Sequence, residues 1–183
     1  MGREEQIEDQ VIQNLSWFGY EGALWIRRAK LGREGFGAVD LLLLPATGPH
    51  RVVLVEVKHA KSNDTAGRLV GQLLAYYLAA LRLGADGVKR LCDFAREPRA
   101  HGTGSKSLQM MSGLGAGSKH KDLEALRSGK QLAPDEVALI IVIGTDKVGV
   151  DSRESFGDLR AWLRSNGQLD IRVAMARSDG SFE

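Results

Sequence analysis

Two apolar segments separated by a short turn constrain the fold of this chain more than any other feature. Residues 38–44 and 51–58 are rich in Leu and Val, and residues 45–49 between them contain two prolines and one glycine. Extended apolar segments on either side of such a turn predict a β-hairpin. We therefore expect two neighbouring antiparallel strands.

The turn also limits which side chains can meet across the hairpin. If the paired residue numbers sum to 95 or 96, Asp40 lies beside Val55 or Glu56. Directly opposed side chains in an antiparallel pair are roughly 5 Å apart, and diagonal neighbours are still within about 8 Å. Two carboxylates therefore converge at one end of the sheet. Because strand side chains alternate between faces, Lys58 projects to the same side as Glu56.

Apolar periodicity predicts the remaining elements. Gly19 is expected to stop the first helix, and Gly84 the long second helix, whose apolar content implies that it packs across the sheet. The predicted helices cover residues 4–17, 65–83 and 152–165, the strands outside the hairpin cover residues 23–29, 137–143 and 170–176, and a further helix near residues 88–97 is left open.

The resulting order, αβββαβαβ, indicates the fold class. Strands and helices that alternate in this way predict an α/β fold with helices on a central mixed β-sheet. Residues 99–118 are rich in Gly and Ser without a hydrophobic period, so we expect a flexible insert at about residues 99–119. A chain of 183 residues is long enough for one proper core. We therefore predict a single domain over residues 1–183 that carries this insert.

Composition excludes several classes of protein. Hydrophobic residues make up 43% and charged residues 26% of the chain, which is ordinary for a soluble globular protein. The strongly apolar run over residues 137–143 is far shorter than the roughly 20 residues that cross a bilayer. The single cysteine, Cys92, excludes an intrachain disulfide and a thiolate metal cluster. We expect a soluble, cytoplasmic protein without a membrane partner.

Positive charge is concentrated in one stretch. The net charge is only +2, so a surface for nucleic acid must be local. Residues 89–130 contain nine basic and four acidic residues. This stretch, which includes the predicted insert, is the region expected to grip or close over a phosphate backbone.

The paired carboxylates and the lysine point to a particular chemistry. Two like charges placed close together are costly unless a cation neutralises them, and hard oxygen ligands suit Mg²⁺ or Mn²⁺. A lysine beside them, Lys58, can orient or deprotonate the attacking water and offset negative charge in the transition state. Asp40, Glu56 and Lys58 together therefore predict phosphodiester hydrolysis that depends on a divalent cation.

The pattern resembles the PD-(D/E)xK nuclease superfamily. In that superfamily an acidic residue at a strand end is followed by (D/E)xK on the next strand, and here Asp40 precedes Glu56, Val57 and Lys58. Val39 stands where the name of the motif has proline, a position that varies in such families. The insert has no counterpart, which leaves the class of substrate open.

Two helices add to the resemblance. In Holliday-junction resolvases the first helix carries a glutamate that precedes a glycine-aromatic pair by eleven residues, and Glu8, Gly19 and Tyr20 have that spacing. In nucleases of the RecB type the helix after the lysine carries Gln-xxx-Tyr, which Gln72 and Tyr76 match on one helix face. The resemblance covers about residues 4–83.

The resemblance implies a fold, an activity and a site. The expected fold is a restriction-endonuclease-like αβββαβ core, and the expected activity is a Mg²⁺-dependent nuclease that acts on DNA, with RNA left open and Mn²⁺ able to substitute. The implied metal ligands are Asp40, Glu56 and the Val57 carbonyl, and Glu8 supports the metal or its water. The resemblance also implies that Lys58 acts on the nucleophile, that Gln72 orients the site and that Tyr76 braces it or touches DNA. Separately from the resemblance, we expect nucleic-acid contacts at Arg28, Lys61 and Lys106, and for Arg28 a solvated charged face is the alternative.

Several alternatives stay open at this point. Glu4 and Glu5 compete with Glu8, although only Glu8 fits the register of the glycine-aromatic pair. An Asp followed by ExK also occurs by chance as an exposed strand end with a salt bridge. The alternative hypothesis is a catalytically inactive module of nuclease fold that binds nucleic acid or a protein partner. Nucleases of this kind often pair subunits, so a homodimer is compatible with the resemblance.

Overall fold

A computed structural model describes residues 3–31, 38–59, 66–83, 91, 93, 95–96, 132–145, 158, 161, 164–165, 169 and 171–183. These residues form α1 (Arg3–Gln13), β1 (Leu24–Ala29), β2 (Val39–Leu44), β3 (Val52–His59), α2 (Ala66–Leu81), a short 3-10 helix (Pro134–Glu136), β4 (Val137–Thr145) and β5 (Ile171–Arg177).

The strands form one mixed sheet in the order β1-β2-β3-β4-β5. β1, β2 and β3 are antiparallel neighbours, whereas β3, β4 and β5 run parallel. The predicted hairpin is therefore confirmed, and so is the α/β class with a mixed sheet. Leu42 pairs with Leu54, which makes the paired numbers sum to 96, one of the two expected registers.

The two helices cover opposite faces of the sheet. Val53, Val55 and Val57 of β3 belong to the core beneath α1, whereas Val52 and Leu54 belong to the core beneath α2. β3 is central and buried on both sides, which explains why its sequence is continuously apolar up to the ionic residues at its end. By this alternation Glu56 and Lys58 lie on the α2 face.

The first helix is shorter than predicted. α1 ends at Gln13, not near residue 17, because Asn14 begins a series of turns and its side-chain amide donates to the Gln10 carbonyl at 2.9 Å. Gly19, at φ +81°, then adopts the left-handed conformation that redirects the chain. The other predicted ends in the described residues lie within two residues of the observed ones.

Some predictions fall outside the residues that the structure describes. These are the insert at about residues 99–119, most of the open helix near residues 88–97 and most of the predicted helix over residues 152–165. Within the described part of the chain, no helix is both long enough and apolar enough to cross a membrane.

Close packing of α1 against β4 gives a test of this arrangement. A Cβ atom at Gly144 would overlap Ile7 Cδ1 and lie 3.2 Å from Ile7 Cγ1, so Gly144→Ala should destabilise the protein by about 1–3 kcal/mol in urea unfolding. Ile7→Val removes the overlapping atom, so the double variant should lose less stability than the two single variants together. Gly71→Ala, at an open helical position, is the control and should be neutral or slightly stabilising. Additive effects of Ile7→Val and Gly144→Ala would contradict the packing.

Candidate active site

Two carboxylates lie buried at the end of the hairpin. Asp40 is only 3% exposed and Glu56 only 2% exposed. Extending the β2–β3 register by one residue beyond the pair Leu41–Val55 brings them opposite each other. The alternative of an exposed strand end with a salt bridge is therefore wrong about exposure, because both carboxylates are buried, although the salt bridge between Glu56 and Lys58 is present.

Asp40 is held through both of its oxygens. Its Oδ2 accepts a hydrogen bond of 2.8 Å from the Val57 main-chain N–H, and its Oδ1 accepts one from Arg28 Nη1. Burial nevertheless raises the pKa of Asp40 above its usual value, and the Val57 and Arg28 donors only partly oppose this effect. In a strand the N–H and C=O of one residue point to the same neighbour, so the Val57 carbonyl also faces β2.

Glu56 is paired through one oxygen only. Its Oε1 lies 2.8 Å from Lys58 Nζ, while its Oε2 is buried and has no hydrogen-bond partner among the described residues. Burial, and after it the negative charge of Asp40, raise the pKa of Glu56 to about 7. A buried acceptor without a donor requires an explanation, and an ion is one of the usual ones.

Lys58 keeps its proton in this environment. Burial by itself would lower the pKa of Lys58, but the hydrogen bond to Glu56 and the charges of Glu56 and Asp40 outweigh burial and raise it. The side chain is 14% exposed. Lys58 is therefore a charged donor close to the surface, beside the buried carboxylates.

Glu8 joins this cluster from α1 through two arginines. Its Oε2 lies 2.5 Å from Arg27 Nη1, and its Oε1 lies 2.8 Å from Arg28 Nη2. Glu8 is 1% exposed, and burial raises its pKa although both arginines oppose the shift. Of the three glutamates considered in the first helix, Glu8 is the one that a bridging arginine connects to Asp40, whereas Glu4 and Glu5 are less buried.

The second helix supplies the predicted Gln and Tyr on the same face of the sheet. The Tyr76 hydroxyl donates to the Ala38 carbonyl at 3.2 Å, directly before β2, which agrees with the bracing role. Burial raises the pKa of Tyr76, as do the nearby charges of Glu56 and Asp40. Gln72 lies one turn earlier, and its Oε1 is a second buried acceptor that has no donor among the described residues.

The resemblance implies a Mg²⁺ ion held by Asp40, Glu56 and the Val57 carbonyl. No group of three or more His, Cys, Asp or Glu side chains in the described ranges is arranged to hold a metal ion. A cation here would instead use Asp40, Glu56 and main-chain oxygen, with water completing the shell. The free Glu56 Oε2 and the direction of the Val57 carbonyl fit such an ion.

Sequence reasoning did not anticipate the position of Arg28. It was predicted as a nucleic-acid contact, and the structure places its guanidinium between Glu8 and Asp40. The pair of arginines at the end of β1 was visible in the sequence, but no short turn revealed the β1–β2 register. Lys61 and Lys106, the other predicted contacts, lie outside the described residues.

Comparisons with known proteins identified no relative. No family model matches the chain, and neither a curated protein nor a solved structure is significantly similar to it.

The raised pKa of Glu56 predicts how stability depends on pH. A carboxyl whose pKa is raised on folding stabilises the folded state fully below about pH 4.5, and this contribution is lost as pH rises through about 7. In EDTA, the unfolding free energy of wild type relative to Glu56→Gln should fall by about 3 kcal/mol between pH 4.5 and 8. Denaturant titrations of wild type and Glu56→Gln at each pH measure this difference in unfolding free energy. Glu21→Gln, at an exposed position, is the control variant. A Glu56→Gln curve parallel to that of wild type would contradict the assignment.

Proposed function

We propose that this protein is a metal-dependent nuclease with a restriction-endonuclease-like core, and that it hydrolyses the phosphodiester backbone of DNA. One observation carries the proposal. Asp40, Glu56 and Lys58 meet at the end of one hairpin with both carboxylates buried, and one Glu56 oxygen is left without a hydrogen-bond donor in the described structure. That combination suits an ion better than it suits a salt bridge alone.

Each residue has a defined role in this proposal. A bound Mg²⁺ supplies Lewis acidity and positive charge at the phosphate. Asp40, Glu56 and the Val57 carbonyl are the groups that would hold it, because their oxygens are of the hard type that Mg²⁺ prefers. Glu8 lies on the α1 side of this cluster, where Arg27 and Arg28 connect it to the sheet, and it would support the metal or its water.

Lys58 acts as a charged donor in this proposal. Its ammonium group is protonated at neutral pH and lies next to Glu56, so it can orient the attacking water and stabilise negative charge that develops on the phosphate. Of the two roles that the sequence left open, orientation and deprotonation of the water, the surroundings of Lys58 favour orientation.

The arrangement of the helices supports the same function. α1, the three antiparallel strands and α2 follow one another in the order of the family core, and the Glu8 and Tyr76 side chains both lie in or beside the cluster. The opposing hypothesis is an inactive module of the same fold, in which the ion pairs are purely structural. Cleavage and metal binding separate the two hypotheses.

Cleavage is the direct test. Linear, circular, branched and single-stranded DNA, together with RNA, are incubated with Mg²⁺, Mn²⁺ or EDTA. We expect metal-dependent cutting of a DNA substrate, and Lys58→Ala should reduce the rate at least about 100-fold because it removes the charged donor. Arg51→Ala is the control, because it removes one positive charge directly before β3. Arg51 Nη1 lies 3.2 Å from Glu136 Oε2, and this variant should cut like wild type.

Two results would contradict the catalytic proposal. One is the absence of cutting of every substrate with either metal. The other is equal cutting by wild type and Lys58→Ala, which would assign the activity to a different site or to a contaminant.

Metal binding is an independent test. Wild type should bind Mn²⁺ in calorimetry, and Asp40→Asn should bind at least about tenfold more weakly because a charged ligand is lost. Binding by wild type should strengthen from pH 6 to 8, since the cation competes with the proton on Glu56. Asp135→Asn, an exposed position in the 3-10 helix, is the matched control. Equal affinities of wild type and Asp40→Asn would favour the inactive module.

A further inference from the structure

Arg28 connects two buried carboxylates that come from different elements. Its Nη2 lies 2.8 Å from Glu8 Oε1 on α1, and its Nη1 contacts Asp40 Oδ1 on β2. A planar guanidinium can donate in two directions at once, so one positive charge serves both carboxylates. Arg28 therefore places its one positive charge between the two carboxylates.

The backbone at Arg28 departs from a regular strand. Its φ is +52°, and it is the one non-glycine residue in the described chain with a positive φ. Leu24 and Ile26 pack in the core beneath α2, and Ala29 packs there too, although strict alternation would place it on the other face. A non-glycine residue persists in this conformation only when its surroundings impose it, and such residues cluster at functional sites.

The side chains of Arg28, Glu8 and Asp40 differ in solvent exposure. The Arg28 side chain is 52% exposed, whereas the side chains of Glu8 and Asp40 are 2% and 4% exposed. The arginine thus covers the carboxylates from the solvent side. Because about half of the Arg28 side chain is already in contact with solvent, its release from the carboxylates moves a group at the surface and not one in the core.

The hydrogen bonds of Asp40 identify the oxygen that Arg28 occupies. Oδ2 accepts the Val57 N–H at 2.8 Å, and this bond fixes the carboxylate against β3. Oδ1 is the oxygen bound by Arg28. An ion that binds Asp40 while the Val57 bond is kept must therefore compete with Arg28 for Oδ1.

We propose that Arg28 is a resident counter-cation of the site, and that a divalent cation binds by displacing its guanidinium from Asp40. This inference rests on the proposed function, because it takes Asp40 as a metal ligand. It adds that the protein regulates metal affinity through one of its own side chains. In the metal-free protein Arg28 stabilises the carboxylates, and the same contact weakens metal binding.

Arg27 provides the control that separates displacement from a general charge effect. It is the neighbour of Arg28 and pairs with Glu8 and Asp9, with no ion pair to Asp40 in the described structure. Arg28→Met and Arg27→Met remove the same charge from adjacent positions. Only the first variant removes the competitor for Asp40 Oδ1.

Calorimetric titration of the full chain with Mn²⁺ tests the proposal. Arg28→Met should bind Mn²⁺ about tenfold more tightly than wild type, whereas Arg27→Met should stay within about threefold of it. Equal affinities of wild type and Arg28→Met would overturn the inference but leave the proposed function intact. Equal tightening by both variants would also overturn it, since the summed charge would then be the cause. Absence of binding in all three proteins would contradict the proposed function and the inference with it.

A measurement on wild type keeps the test independent of how the variants fold. The side-chain N–H signals of Arg28 are followed by NMR while Mg²⁺ is added, and the Val57 amide signal reports binding at Asp40. We expect the Arg28 signals of the bridged guanidinium to disappear or shift at the same Mg²⁺ concentration as the Val57 signal. Arg28 signals that stay unchanged while Val57 responds would show that the cation binds without displacing the arginine.

Discussion

The burial of two neighbouring carboxylates is the constraint on which the rest of this structure depends. Asp40 and Glu56 extend from the two strands of the hairpin, and burial raises the pKa of both. A buried carboxylate is costly unless donors or cations surround it. The donors here are the Val57 N–H, Arg28 and Lys58, all from the same sheet. The ionic cluster and the strand arrangement therefore stabilise each other.

The sheet also explains why the charges lie at one end of the hairpin. β3 is the central strand, and helices cover both of its faces, so most of its length accepts only apolar side chains. Val57 is fully buried and the Lys58 side chain is 14% exposed, so solvent exposure begins at the last residues of β3. Carboxylates placed there are sheltered from water but remain close to the surface. That is the position a ligand arriving from solvent requires.

How much of this site could be predicted from the sequence depended on the length of the connections between the strands. Residues 45–49 form a short turn, so the register that brings Asp40 opposite Glu56 could be worked out within one residue. The connection from β1 to β2, residues 30–38, is longer, and its three glycines are spread along it, so the sequence did not define the register that places Arg28 opposite Asp40. The spacing on the first helix indicated Glu8, but not its ion pairs, because those depend on how α1 packs on the sheet.

A structural ion-pair network and a cation site make different demands on the same residues. In a network that only stabilises the fold, each buried acceptor should have a donor. Glu56 Oε2 has none in the described structure, and Arg28, which pairs with Asp40, has a positive φ of +52°. Buried ion pairs can often be replaced by apolar residues without loss of stability, so stability alone does not account for two carboxylates side by side. The divalent cation of the proposed nuclease is a ligand that would account for them, because it carries its own positive charge.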